Sequence, residues 1–179
     1  MHFEIIEDTG RYIDRRVARY LKPGAGKPSG YTLELDDNST NLGAVPIHRD
    51  TRYSLLLKRK ETVIACLGFE VDGNTVHVNQ IQGRGTYLCD TDEKRRVNRG
   101  LNPIYWDRML LDTMTNLAAL NGFSRIMVDS MEDPEHAQED DMDEHLLRLY
   151  NRYNKNAERA GFSYDSDSQK YIKYLYSKL

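Results

Sequence analysis

Two helix-patterned runs in this chain end in the same way, and that shared ending constrains the fold more than any other feature. Residues 143–162 place Leu146, Tyr150, Tyr153, Ala157 and Ala160 on one stripe, stop at Gly161 and pass to Phe162. Residues 102–121 place Trp106, Leu110, Met114, Leu117 and Leu120 on a stripe, stop at Gly122 and pass to Phe123. A glycine just past the last turn supplies the left-handed residue that closes a helix, and the apolar residue after it folds back onto the last turn. The first run leads at once into 125–130, a short apolar segment without alternation, as in a buried parallel strand. Helices that stop this way and feed strands imply helices layered on a sheet.

Upstream, the period changes to two. Residues 53–59, 62–71 and 75–82 read as three antiparallel strands, with turns at Lys60-Glu61 and Asp72-Gly73-Asn74. Asp-Gly is a strong hairpin signal because both residues tolerate positive φ. Residues 9–22 carry Ile13, Val17 and Tyr20 at helical spacing before Pro23-Gly24. A short extended piece is expected at 31–35. Asn102 is expected to cap the next helix, with Pro103 in its first turn. Residues 83–101 read as a long polar, basic connection, 163–168 as a turn region, and 170–179 as a terminal strand. The whole is one α/β domain spanning 1–179: a mixed sheet in which an antiparallel meander is followed by helix-strand-helix-strand, with helices on both faces. A chain of 179 residues is long enough for one such core.

Composition narrows the classes. No apolar run is long enough to cross a bilayer. The formal net charge of −3 argues against bulk nucleic-acid binding. Cys66 and Cys89 form neither a disulfide framework nor a zinc motif, so a reducing, cytoplasmic setting is expected. The Gly26-Lys27 pair is not a phosphate loop, because Leu21 stands where the first glycine belongs and Pro28 where the hydroxyl belongs. His136 and His145, among the acids of 133–143, match no metal spacing, and no metal is expected.

The element order, together with LLDTMTNLAALNGFSRIMV (110–128) and LYNRYNKNAERAGF (149–162), resembles the GNAT superfamily of N-acetyltransferases from about Tyr53 onward. The resemblance implies acyl transfer from an acyl-CoA, acetyl-CoA above all, to an amine on a small molecule or a protein. It implies a donor lying in a V-shaped opening between two splayed parallel strands. Its pyrophosphate would rest on backbone N–H groups between the fourth strand and the next helix. The family's Gln/Arg-x-x-Gly-x-Gly/Ala string is matched by Gln80 to Gly85, but at the end of the strand rather than at the helix start. At the helix start stand the bulky Tyr105 and Trp106. The family's acid tyrosine falls on Ala157, with Tyr153 one turn earlier.

The donor-binding candidates on that resemblance are Gln82, Gly83, Arg84, Gly85, Arg96 and Arg99, set against a plain solvated loop. Arginine suits phosphate through its planar fork of donors. Tyr153 is the candidate acid, set against simple core packing. His77 and Glu70, on neighbouring strands, are the candidate bases, His77 because its pKa lies near neutrality. The alternative to an enzyme is a non-catalytic scaffold of the same shape that binds a protein or nucleic acid. A cleft plugged by Trp106 or Tyr105 would favour it.

Overall fold

The computed structural model describes residues 16–26, 29–37, 51–60, 62–84, 91–131, 147 and 149–175. Ile13, Lys27, Pro28, Gly85, Cys89, His136, His145 and Leu146 lie outside these residues.

The centre is a seven-stranded sheet. Its strands are β1 (Tyr31–Asp36), β2 (Tyr53–Arg59), β3 (Thr62–Asp72), β4 (Thr75–Gly83), β5 (Arg125–Asp129), β6 (Ser163–Asp165) and β7 (Lys170–Tyr174). Their order is β1-β2-β3-β4-β5-β7-β6, antiparallel at every junction except the parallel β4–β5 pair. The meander therefore has four strands where the sequence predicts three plus an extended piece. Likewise 163–168, expected as a turn region, contains β6. Only three residues long, β6 carries too little alternation to show in the sequence.

The β3–β4 turn is Gly73-Asn74, with positive φ at Gly73 alone, so the hairpin turns one residue later than the Asp-Gly signal implies. β3 is buried on both faces. Ala65, Leu67 and Phe69 join the main core, while Val63 and Cys66 pack with Leu56 in a smaller cluster. A register shift between Leu57 and Lys58 turns Ile64 into the main core as well.

Among the described residues, two helices lie between β4 and β5: α1 (Thr91–Leu101) and α2 (Trp106–Leu120). Much of the expected basic loop is thus the helix α1. It buries only Val97 and Gly100, so hydrophobic periodicity could not reveal it. Its charges do follow the helix dipole, with Asp92 and Glu93 in the first turn and Arg99 in the last. α2 starts at Trp106, not at Asn102. The 20–22 segment pins 103–105 in an extended shape: the Tyr105 N–H donates to Tyr20 O at 2.9 Å and the Lys22 N–H to Pro103 O at 2.9 Å. The buried side of α2 is also rotated from the expected stripe. Thr115 is buried and donates to Leu111 O, whereas Leu120 is 72% exposed.

Both glycine stops form as the sequence predicts. The Phe123 N–H reaches Ala118 O at 3.0 Å and the Gly122 N–H reaches Ala119 O at 3.2 Å. The Phe162 and Gly161 N–H groups reach Ala157 O and Glu158 O in the same 6→1, 5→2 pattern. Gly122 has φ +77°, with no atom within 4 Å of where a Cβ would stand. Gly122→Ala should therefore destabilise through backbone strain alone, by about 1 kcal/mol. Urea denaturation checks this, and an unchanged midpoint would contradict it.

The last helix is not uniform. Residues 151–155 form a π-helical turn (Asn151–Lys155), followed by a short α3 (Asn156–Arg159). Such turns are rare and concentrate at functional sites.

Candidate functional site

The parallel β4–β5 pair runs in register from Thr75–Arg125 to Val78–Val128 and then stops. Beyond it the strands part. The cause lies partly in β4: its pairing with β3 shifts between Gly68 and Phe69, where Gln80 and Val78 are partnered and Asn79 is left over. A bulge of this kind bends its strand and re-aims a side chain. β5 then ends at Asp129, on the level of Asn79. The pairing thus ends where the resemblance implies an opening between the two parallel strands.

Parting leaves backbone groups of both strands without a ladder, and buried groups of that kind must be satisfied. The π-helical turn supplies the partners. On the β4 side the Ile81 N–H donates to Tyr153 Oη at 2.8 Å. Arg152 Nη1 donates to Ile81 O at 3.4 Å. On the β5 side Asn154 Nδ2 donates to Met131 O at 2.8 Å, and the Met131 N–H donates to Asn154 Oδ1 at 2.9 Å. Three consecutive side chains thus stitch the two open strand edges. A regular α-helix spreads three successive side chains around its axis by 100° steps. The wider turn offers a reason why three neighbours can serve two strands.

Beside this stitch lies a cleft of about 850 Å³. Asn79 and Asp129 line it from the sheet, with Tyr150, Tyr153 and Asn154 from the helix side and Lys170 and Tyr164 from the C-terminal hairpin. Lys170 is ion-paired with Asp129 across β5–β7.

Tyr153 is 9% exposed. Burial pushes its phenol above the usual pKa, an effect only partly offset by the Ile81 amide. The group is therefore protonated near neutrality. The oxygen accepts from the amide, so its own proton is not used in that bond, and Tyr153 is among the residues that line the cleft.

The other sequence candidates fall in different places. His77 sits opposite Glu70 on β3 and Met127 on β5, and neither it nor Glu70 lines the cleft. Burial, then the charge of Lys170, lowers the His77 pKa from its ordinary 6.5. Its folded-state pKa thus lies below the unfolded one, and the unfolded chain takes up the proton first. Stability at this residue is complete above 6.5 and declines as pH falls below it towards the folded value. His77→Gln should flatten that decline in urea midpoints measured above and below 6.5; an identical decline in both proteins would contradict it.

Gln82 and Gly83 lie inside β4, paired with Cys66 and Ala65 of β3. A Cβ on Gly83 would stand 3.0 Å from the Trp106 ring, so this glycine admits an indole. Arg152 in turn lies over that indole, 5.1 Å from its centroid. Arg84 is turned inward. Its guanidinium pairs with Glu93 and donates to Val63 O, with the side chain 8% exposed. That pairing ties α1 to the sheet and engages the fork that a phosphate would need. Arg96 and Arg99 are exposed on α1, away from the cleft.

The start of α2 also lacks a phosphate cradle. Tyr105 and Trp106 occupy it, and Asp107 accepts from the Arg108 N–H at 2.9 Å. A carboxylate already in that position repels a second anion. Sequence reasoning did not single out Asp129, Lys170 or Asn154. They gather only once β5, β7 and the π-helical turn come together, and no local spacing announces it. Among the described residues no three His, Cys, Asp or Glu side chains converge as a metal would require. Among them no helix is long and apolar enough to cross a membrane.

Comparison with solved structures finds similarity to Ard1 from Thermoplasma volcanium. That match has 13% identity and a TM-score of 0.36, over 69% of this chain and 70% of that one. It also finds similarity to a protein assigned as an N-acetyltransferase from Lactobacillus plantarum. Here identity is 13% and the TM-score 0.41, over 83% of this chain and all of that one. No family model and no curated protein matches the chain.

Proposed function

We propose that the β4–β5 cleft carries out acyl transfer from an acyl-CoA, acetyl-CoA in the first instance, to an amine on a small molecule or a protein in a cytoplasmic setting. The observation that carries this reading is Tyr153, which lines the cleft beside the end of the parallel pairing and whose hydroxyl is anchored on the Ile81 amide. An amine nitrogen attacks the thioester carbonyl carbon, the C–N bond forms and the C–S bond breaks. Tyr153 gives its proton to the departing sulfur, and the Ile81 N–H steadies the phenolate left behind. The nitrogen loses its extra proton by way of Asp129 in the cleft wall. His77, kept neutral by burial, is the acceptor, reached by relay because it stands outside the cleft lining, with Glu70 beside it in register. Asn79 and Tyr150 orient the donor. In this reading the donor's phosphates lie outside the start of α2.

A second reading has its own observation. The Trp106 indole covers Gly83, where a donor would run along the strand, and Asp107 occupies the start of α2. Both suit a scaffold of this shape that binds a protein or nucleic acid without catalysis. Calorimetric titration with acetyl-CoA separates the two. Micromolar binding, abolished by Asn79→Trp at the exposed cleft edge, supports the enzyme. No heat at millimolar acetyl-CoA would overturn it in favour of the scaffold.

A further inference from the structure

A second concavity, sharing no residue with the cleft, opens between the β2–β3 turn and α1. It measures about 250 Å³ and is lined by Arg59, Lys60, Thr62, Arg96 and Arg99. Four cations around so small a hollow repel one another, and the repulsion falls when an anion enters. Among the described residues, none of the four forms an ion pair. Elsewhere on α1, Arg95 pairs with Asp92 and Glu93 is matched by Arg84. The chain as a whole is net acidic, so the concentration of unpaired positive charge is local.

The hollow is also built. The Arg59 stem lies over Gly100, 3.4 Å from where a Cβ would stand, and its guanidinium sits 5.7 Å from the Tyr31 ring centroid. Its Nε is buried without a hydrogen-bond partner. Lys60 is held in the left-handed region, φ +53°, by its N–H donating to Gly30 O at 2.6 Å. Carbonyls at a helix C-terminus ordinarily disfavour anions. Here the Gly100 carbonyl already accepts the Tyr31 hydroxyl at 2.7 Å. Arg96 and Arg99, three residues apart, share one face of α1. Guanidinium forks and a hydroxyl meet phosphate oxygens with charge-assisted bonds.

We propose that this hollow binds the phosphate group of a small phosphate ester. The site stands whether or not the cleft carries out acyl transfer. The test is calorimetric titration of the full chain with inorganic pyrophosphate, then with coenzyme A and with dephospho-coenzyme A. Pyrophosphate should bind the parent protein. The Arg96→Gln/Arg99→Gln double variant should weaken it about tenfold or more, and Arg95→Gln should not. Lys60→Asn, which retains a residue tolerant of positive φ, should weaken it less and carries the comparison if the double variant melts earlier. A preference for coenzyme A over its dephospho form that the double variant loses assigns the phosphate to the acyl donor. Pyrophosphate binding without that preference assigns it to a separate ester. No heat with pyrophosphate at millimolar concentration, equal loss in Arg95→Gln, or binding of single-stranded RNA alone would overturn the proposal.

Discussion

Replacing Tyr153 by Phe should lower acyl transfer about a hundredfold, the usual worth of a positioned general acid. Affinity for acetyl-CoA should change little, because the ring keeps its place in the core cluster that also holds Ala157 and Phe162. The same variant should lose about 1–3 kcal/mol of stability, since the buried Ile81 N–H is left without an acceptor. These two effects can be separated. Turnover is measured well below the melting transition, and its pH profile shows whether a group titrating above neutrality has gone. An unchanged rate with lowered stability would make Tyr153 a structural clamp and remove it from the mechanism.

The second large effect concerns Asn154. Its amide makes two bonds to Met131, one as donor and one as acceptor, and the residue is 5% exposed. Asn154→Ala leaves a strand-end N–H and C=O without partners together, which should cost about 2–4 kcal/mol. Asn154→Asp keeps the acceptor but loses the donor, and should fall between the two. Amide hydrogen exchange at Met131 reports the consequence directly. Exchange should quicken in both variants while core amides such as those of Leu67 remain protected. If Met131 exchanges as in the parent, the clamp on the β5 side is not what holds the cleft.

How far the sequence discloses this molecule depends on whether the cause is local. The Gly122-Phe123 and Gly161-Phe162 stops are local chemistry, and both form as read. The long alternations of β2, β3 and β4 are likewise plain in the chain. α1 escaped notice because a helix held by Val97, a glycine contact and one ion pair has almost no apolar period. The displaced start of α2 depends on residues 20–22, some eighty positions away in sequence. The π-helical turn leaves no mark at all, since its residues continue the same stripe. Within the site, Tyr153 was legible because it lies on that stripe. Asn79 lies two residues after His77, and the bulge sends Asn79 to the cleft while His77 stays out of its lining. Asp129 and Lys170 are adjacent only across the β5–β7 ladder. Arg84, read by type and position as a phosphate ligand, is engaged by Glu93 on a helix the sequence did not reveal.

The most direct measurement is a titration of the ¹⁵N-labelled protein with acetyl-CoA, followed through its amide resonances. Binding in the cleft predicts that the amides of Asn79, Ile81 and Met131 move together and saturate with one affinity. Movement confined to the α1 hollow around Arg96 and Arg99, with Ile81 and Met131 unmoved, would contradict the claim that acyl transfer takes place where β4 and β5 part.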